Sequence, residues 1–229
     1  MIIQSIALSS MVPIIKFLRK AYRYTYKSFF SKYDVIMERE VKGCSNLLDI
    51  GCGSFSPVQT FNKKLYCVGI DAFAPSIEKS KTLGIHNEYH QIDVLDALEK
   101  FGPKSFDVVV ALDLIEHLRK EDGLKLLEMM DKLARKKIFV YTPNGFLPQG
   151  DRENNPWQVH YSGWSPEEFG AFGYEVLGVN GIKSMRGEFA KPKLKPWFFW
   201  AFISDLTEPF VKYKPSKAFQ LLAIKRLDK

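Results

Sequence analysis

The stretch LLDIGCGSFSP, residues 47–57, decides how the rest of the chain is read. Leu47, Leu48 and Ile50 make a short apolar run suited to a buried strand, and a glycine-rich turn follows it with no spacer. Gly51 and Gly53 permit backbone conformations and close approaches that a side chain would block. A ligand is expected to lie against such a turn.

Outward from that turn, strands and helices alternate. YCVGIDAF (66–73) is a second apolar run, and PSIEKSKTLG (75–84) has the proline start and glycine stop of a short helix. HQIDV (90–94) reads as a strand and FDVVVALDL (106–114) as a continuous β-branched one. KEDGLKLLEMMDKLA (120–134) has helical spacing of Leu124, Leu127, Met130 and Leu133. KKIFVYT (136–142), YEVLGV (174–179) and AFQLLAIKRL (218–227) supply three further strands. The alternation implies an α/β architecture: a Rossmann-like, doubly wound, mostly parallel sheet with helices on both faces. Ligands in such sheets bind beyond the carboxyl ends of the strands.

Chemistry-bearing residues fall at those ends. Asp49, Gly51 and Gly53 follow the first strand, and Asp71 ends the second about 20 residues on, where a carboxylate can accept hydrogen bonds from ribose hydroxyls. The third glycine of a dinucleotide fingerprint is absent, since Ser56 and Pro57 stand there. NAD is therefore the weaker candidate. Singly, Asp71 also reads as a turn residue and Asp93 as a helix cap.

Taken together, five segments resemble the motifs of the class I S-adenosylmethionine-dependent methyltransferases, over residues 45 to about 180. LLDIGCG is similar to their first motif, VGIDAF to the second, QIDVLD to the third, FDVVVALDLIEHL to the fourth, and KKIFVYTPNG to the strand and loop that follow. The resemblance implies a seven-stranded sheet and S-adenosylmethionine as cofactor. It implies a cofactor-binding set of Asp49, Gly51, Cys52, Gly53, Asp71, Ala72, Asp93, Val94, Ala111, Leu112 and Asp113. In it Gly51 and Gly53 pass the methionine end and Asp71 holds the ribose. Asp93 with the Val94 backbone meets the adenine, and the Ala111–Asp113 strand end flanks the methionine amino group. Phe55 departs from the family, which has a glycine there.

The acceptor side is read from DLIEHL (113–118) and QVHYSGW (158–164). If the chain turns helical after Asp113, that residue, Glu116 and His117 converge on one side at i, i+3 and i+4. His160 would cross the same strand ends. Imidazole titrates near neutral pH, so His117 or His160 is a candidate general base and Glu116 a third catalytic residue. Two histidines plus carboxylates can also bind a divalent cation, which lowers the pKa of a substrate hydroxyl while positioning it. Asp113, Glu116, His117 and His160 are that alternative metal set; the preferred reading has no metal. The pairing of an E-H element with a later histidine resembles the ubiquinone-pathway O-methyltransferases and the small-RNA 3′-end 2′-O-methyltransferases. The Asn-Pro-Pro-aromatic loop of amino-N methyltransferases of bases is absent, and no Pro-Cys nucleophile stands in the chain.

Composition sets the remaining bounds. At 229 residues with 46% hydrophobic content the chain can bury a full core. Cys44, Cys52 and Cys67 are odd in number and lack zinc-type spacing, which argues against a disulfide framework and for a reducing compartment. The net charge of +7 is unevenly spread. Residues 1–42 carry eight Lys and Arg against three Asp and Glu, residues 180–229 eleven against four, and the middle fourteen against nineteen. Both ends are also aromatic, and basic residues interleaved with aromatics suit a membrane surface, an RNA or a phosphorylated substrate, or else a solvated helix face.

The expected organisation is a helical, basic and aromatic extension over 1–42 and a catalytic domain over 43–229, with an insertion at 181–217 before the last strand. MIIQSIALSSMVPII (1–15) lacks the leading charges of a signal peptide and reaches Lys16 too soon to span a bilayer. KPWFFWAFISDLTEPFVKYKP (195–215) is interrupted by Asp205, Glu208 and Pro209. A cytoplasmic protein, with peripheral membrane contact through its ends, is expected. The expected activity is methyl transfer to an oxygen or nitrogen of a small or lipid-like acceptor. The alternatives are a metal-assisted RNA 2′-O-methyltransferase and a non-catalytic binder of the same fold, for which Phe55 is the hint.

Overall fold

Each apolar run becomes a strand because strands buried on both faces need side chains that are apolar in both directions. The computed structural model describes residues 32–61, 65–150, 155–187 and 192–227. The expected N-terminal extension therefore lies mostly outside the described residues; its last part is helix α1 (Tyr33–Glu40). The strands are β1 (Asn46–Ile50), β2 (Tyr66–Asp71), β3 (Glu88–Gln91), β4 (Phe106–Leu112), β5 (Ala134–Pro143), β6 (Glu175–Ile182) and β7 (Ala218–Arg226). They form one sheet in the order β3-β2-β1-β4-β5-β7-β6, parallel except for β7, which runs antiparallel to both neighbours.

The third strand begins and ends earlier than HQIDV suggested, because Asp93 leaves the ladder to cap a short 3₁₀ turn through the Leu95 N–H at 2.9 Å. Between the strands lie α2 (Ala74–Leu83), α3 (Ala97–Phe101), α4 (Lys120–Leu133) and α5 (Pro166–Ala171). In α4 the buried face is Leu126, Leu127, Met129, Met130 and Leu133, whereas Leu124 is exposed. The stripe is thus rotated from the one its leucine spacing suggested.

Alternation along β4 sorts the core. Val109 and Ala111 face one side with Leu48, Leu126 and Trp164, and Val108 and Val110 face the other with Met37, Phe139 and Leu222. Each fully buried side chain of this size contributes roughly 1.5–3 kcal/mol. β1 has β2 on one side and β4 on the other, so the chain reverses its direction of winding there. The loops after β1 and β4 then part to opposite faces and leave a crevice at their carboxyl ends.

The insertion before β7 forms α6 (Trp197–Leu206) and α7 (Glu208–Lys212), packed on β6. Its inner side depends on Gly181, which has φ +73° and on which a Cβ would stand 2.3 Å from the Ser204 carbonyl. Gly181→Ala is expected to cost about 2 kcal/mol or more, a drop of roughly 5 °C in Tm measured by calorimetry.

Candidate active site

The crevice is a cleft of about 1160 Å³ at the strand carboxyl ends. Its first wall is the turn after β1. Gly51 has φ +68°, and a Cβ there would meet Leu114 Cδ1 at 2.6 Å, so only glycine lets the β1 and β4 loops close together. The Cys52 N–H bonds the Ile70 carbonyl at 2.9 Å and the Gly53 N–H bonds Asp71 Oδ2 at 2.9 Å. Asp71 Oδ1 accepts from the Phe73 N–H at 2.8 Å. Each carboxylate oxygen thus spends one lone pair on backbone and keeps another for a donor in the cleft. Burial raises the Asp71 pKa, and the two backbone N–H groups pull it back.

Of the eleven residues expected to bind cofactor, ten line the cleft. Ala111 does not: it is fully buried in β4 between Ile50 and Val140, because its side chain points into the sheet core rather than past the strand end. Asp49 is buried and its Oδ2 meets His86 Nε2 at 2.9 Å, so one of its oxygens is committed to holding β1 against the loop before β3. Phe55 stands at the lip, 63% exposed with Lys79 Nζ 4.4 Å from its ring centre, and does not plug the cleft.

The second wall is built after β4. Asp113 has φ +49°, a strained conformation for a non-glycine residue, and Ile115–His117 form a single 3₁₀ turn rather than a helix. The three residues of DLIEHL therefore do not converge as expected. Asp113 turns to Gln220, whose Nε2 donates to its Oδ1 at 3.2 Å. Glu116 turns inward and its Oε2 accepts from Thr142 Oγ1 at 2.9 Å. Both carboxyls are pushed up by burial, and the Asp113 charge adds to the rise at Glu116.

His160 joins Glu116 and His117 because its segment is tied to the 3₁₀ turn by backbone. The Glu116 carbonyl accepts from the N–H groups of Tyr161 at 2.8 Å and Ser162 at 3.1 Å. One candidate ligand atom from each of Glu116, His117 and His160 lies within 4.8 Å of the other two, and the two imidazoles meet edge to face with centres 4.7 Å apart. Asp113 is not part of this group, so the four-residue set expected from sequence becomes three. His117 Nδ1 meets the Val159 carbonyl at 3.2 Å, and His160 Nδ1 meets the Leu147 carbonyl at 2.6 Å. A carbonyl only accepts, so each neutral ring carries its proton on Nδ1 and leaves a lone pair on Nε2.

Burial pushes the His117 pKa down to about 4, with the neighbouring His160 adding to the effect, and burial also lowers His160. The unfolded chain therefore takes up a proton at His117 as pH falls from 6.5 towards 4 while the folded chain does not. Wild type is expected to lose stability relative to His117→Gln across that window, by at most about 1.4 kcal/mol per pH unit, measured by urea unfolding in chelator.

Sequence reasoning did not reach the third wall. Tyr33 of α1 stacks on Tyr141 of β5 at 4.0 Å, and the Tyr141 hydroxyl donates to Gln220 Oε1 at 2.6 Å. Asn180 of β6, at φ +63°, donates through Nδ2 to both the Tyr141 hydroxyl at 2.7 Å and Gln220 Oε1 at 2.5 Å. The available signal was a polar residue inside each of two apolar strands, Gln220 in AFQLLAI and Asn180 after YEVLGV.

A seven-stranded sheet of this order, with a glycine turn after β1 and a carboxylate ending β2, is the fold of the class I S-adenosylmethionine-dependent methyltransferases. Residues 48–141 match the methyltransferase domain family. The chain is 24% identical over 182 residues to the small RNA 2′-O-methyltransferase of Tetrahymena thermophila, a match covering 65% of this chain and 43% of that protein. Its fold resembles a SAM-dependent methyltransferase from Archaeoglobus fulgidus, with TM-score 0.54 and 16% identity over 90% of this chain and 99% of that one. It also resembles the small RNA methyltransferase HEN1, with TM-score 0.55 and 17% identity over 92% of this chain and 25% of that one.

Proposed function

We propose that the chain transfers a methyl group to a hydroxyl oxygen of its acceptor. The observation that carries this reading is the group of Glu116, His117 and His160, two neutral imidazoles and a carboxyl, in the same cleft as Asp71. The cofactor brings an already activated methyl on a sulfonium, so the protein's work is alignment and the handling of one proton.

The cleft suits that cofactor. The spare lone pairs of Asp71 would accept the ribose hydroxyls, and Gly51 and Gly53 would let the methionine end lie close to the backbone. Asp93 and Val94 would border the adenine, and Asp113 would face the methionine amino group. At the other end, the Nε2 lone pair of His117 or His160 would accept the hydroxyl proton as the new C–O bond forms. Glu116, held by Thr142, would orient the acceptor or share the proton.

The same three residues fit a divalent cation, since the Nδ1 atoms of the two histidines are tied to carbonyls in the manner of metal-ligating histidines. Such a cation would supply Lewis-acid lowering of the hydroxyl pKa. The Tetrahymena relative favours a second reading of the acceptor, an RNA 2′-hydroxyl, over a hydroxylated small or lipid-like molecule.

Methyl transfer from labelled cofactor to a panel of hydroxylated lipids, phenols and RNA ends with or without the terminal 2′-hydroxyl tests the reading. Product on hydroxyl acceptors alone supports it, and product on amines instead overturns it. Tight cofactor binding with no turnover on any acceptor would favour a non-catalytic role.

A further inference from the structure

Helix α6 is built inside out. Its polar residues Ser204 and Asp205 are buried, and cations from elsewhere hold them: Arg186 donates to Ser204 Oγ at 2.9 Å and to Asp205 Oδ1 at 2.8 Å, and Lys32 Nζ reaches Asp205 Oδ1 at 2.6 Å. With the polar side fixed inward, Trp197, Phe199 and Leu206 are left facing out, and the surface continues through Phe210 and Tyr213, 70% and 75% exposed. A helix on a water-facing surface has the opposite arrangement. An exposed run of large apolar side chains on this scale marks an interaction surface.

Charge decides the partner. Between residues 192 and 217 the acidic residues are Asp205 and Glu208, both buried, while the basic ones are Lys193, Lys195, Lys212, Lys214 and Lys217, with no arginine. Three of these lysines lean over the exposed rings: Lys195 Nζ lies 5.5 Å from the Trp197 centre, Lys212 Nζ 5.4 Å from Tyr213 and Lys214 Nζ 5.3 Å from Phe210. Apolar groups in the middle with lysine ammoniums on long stems at the rim match the acyl boundary and the headgroup layer of a lipid leaflet. A phosphate-reading surface for nucleic acid would favour arginine forks, and Leu194 and Leu206 offer nothing to a base.

We propose that the outer face of α6 and α7 seats the protein on a membrane surface bearing anionic lipid. The seat adjoins the cleft, because Glu208 of α7 accepts from the backbone N–H groups of Asn180 at 3.1 Å and Gly181 at 2.9 Å, and Asn180 lines the cleft. The inference stands on this surface alone and not on the acceptor or the catalytic group.

Flotation of the full chain with vesicles tests it, comparing phosphatidylcholine alone with phosphatidylcholine containing about one part in three of phosphatidylserine. The chain is expected to float with the anionic vesicles and to be released as salt rises. Phe199→Ser with Phe210→Ser, and separately Lys212→Glu with Lys214→Glu, are expected to lower binding at least about 10-fold. S-adenosylhomocysteine affinity should be unchanged, which shows the variants folded, and Leu83→Ser on the far edge of the sheet should float as wild type. No binding to anionic vesicles at low salt, or full binding by the serine pair, would overturn the proposal. So would an RNA oligomer or a second copy of the chain that engages these residues while vesicles do not.

Discussion

Asp71→Ala is expected to lower affinity for S-adenosylhomocysteine at least about 100-fold in a calorimetric titration of the folded variant. The carboxylate is positioned by two backbone N–H groups, lines the cleft and has lone pairs to spare for a donor there. Charge-assisted hydrogen bonds to a ribose diol are worth about 1.5–3 kcal/mol each, and 1.4 kcal/mol is tenfold. Part of the loss could come from freeing the Gly53 N–H, which shapes the turn. Asp71→Asn narrows the cause: its one amide oxygen can still accept from the Gly53 N–H, while its NH2 faces the Phe73 N–H and the charge is lost, and at least about a tenfold loss is expected. Unchanged affinity in both variants would remove Asp71 from the binding site.

His160→Ala and Glu116→Gln are expected to lower turnover by about 10²–10⁴-fold while leaving S-adenosylhomocysteine affinity within about threefold. The affinity readout matters because Glu116 also anchors Thr142 and, through its carbonyl, the His160 segment. Because burial lowers the pKa of both imidazoles, they stay neutral further into acid than a free histidine. The imidazoles themselves should then cause no fall in the wild-type rate between pH 8 and about 6.5, so a fall inside that window reports the raised carboxyls of Asp113 and Glu116 instead. Chelator then distinguishes two ways of working. Full activity in chelator assigns proton transfer to the imidazoles, whereas a loss restored by a divalent cation assigns them to holding it. A His160→Ala enzyme as fast as wild type would remove His160 from the chemistry under either account.

The glycine-turn end of the cleft, proposed above to take the cofactor, was legible in sequence because it is made of short-range features. A glycine turn directly after an apolar run, an acid at the end of the next strand and a capping aspartate after the third each sit within a few residues of the strand that positions them. Ala111 shows the limit of that reading, since which way a strand residue faces depends on register against Ile50 and Val140. The same limit moved the buried stripe of α4 away from Leu124.

The end built from Glu116, His117 and His160, proposed above to take the acceptor, was only partly legible. DLIEHL and QVHYSGW were picked out, yet their relative placement rests on hydrogen bonds between residues more than 40 positions apart, the Glu116 carbonyl to the Tyr161 and Ser162 amides. Asp113 left the group because a strained backbone turned it towards Gln220, a residue 107 positions away. The sequence by itself determined the sheet, the glycine turn and the two strand-end acids, since periodicity and turn chemistry are local. Only the tertiary structure decided that Glu116, His117 and His160 share one end of the cleft and that the aromatic helix faces outward. Those outcomes depend on long-range pairings, such as Arg186 and Lys32 with Asp205, which no local pattern encodes.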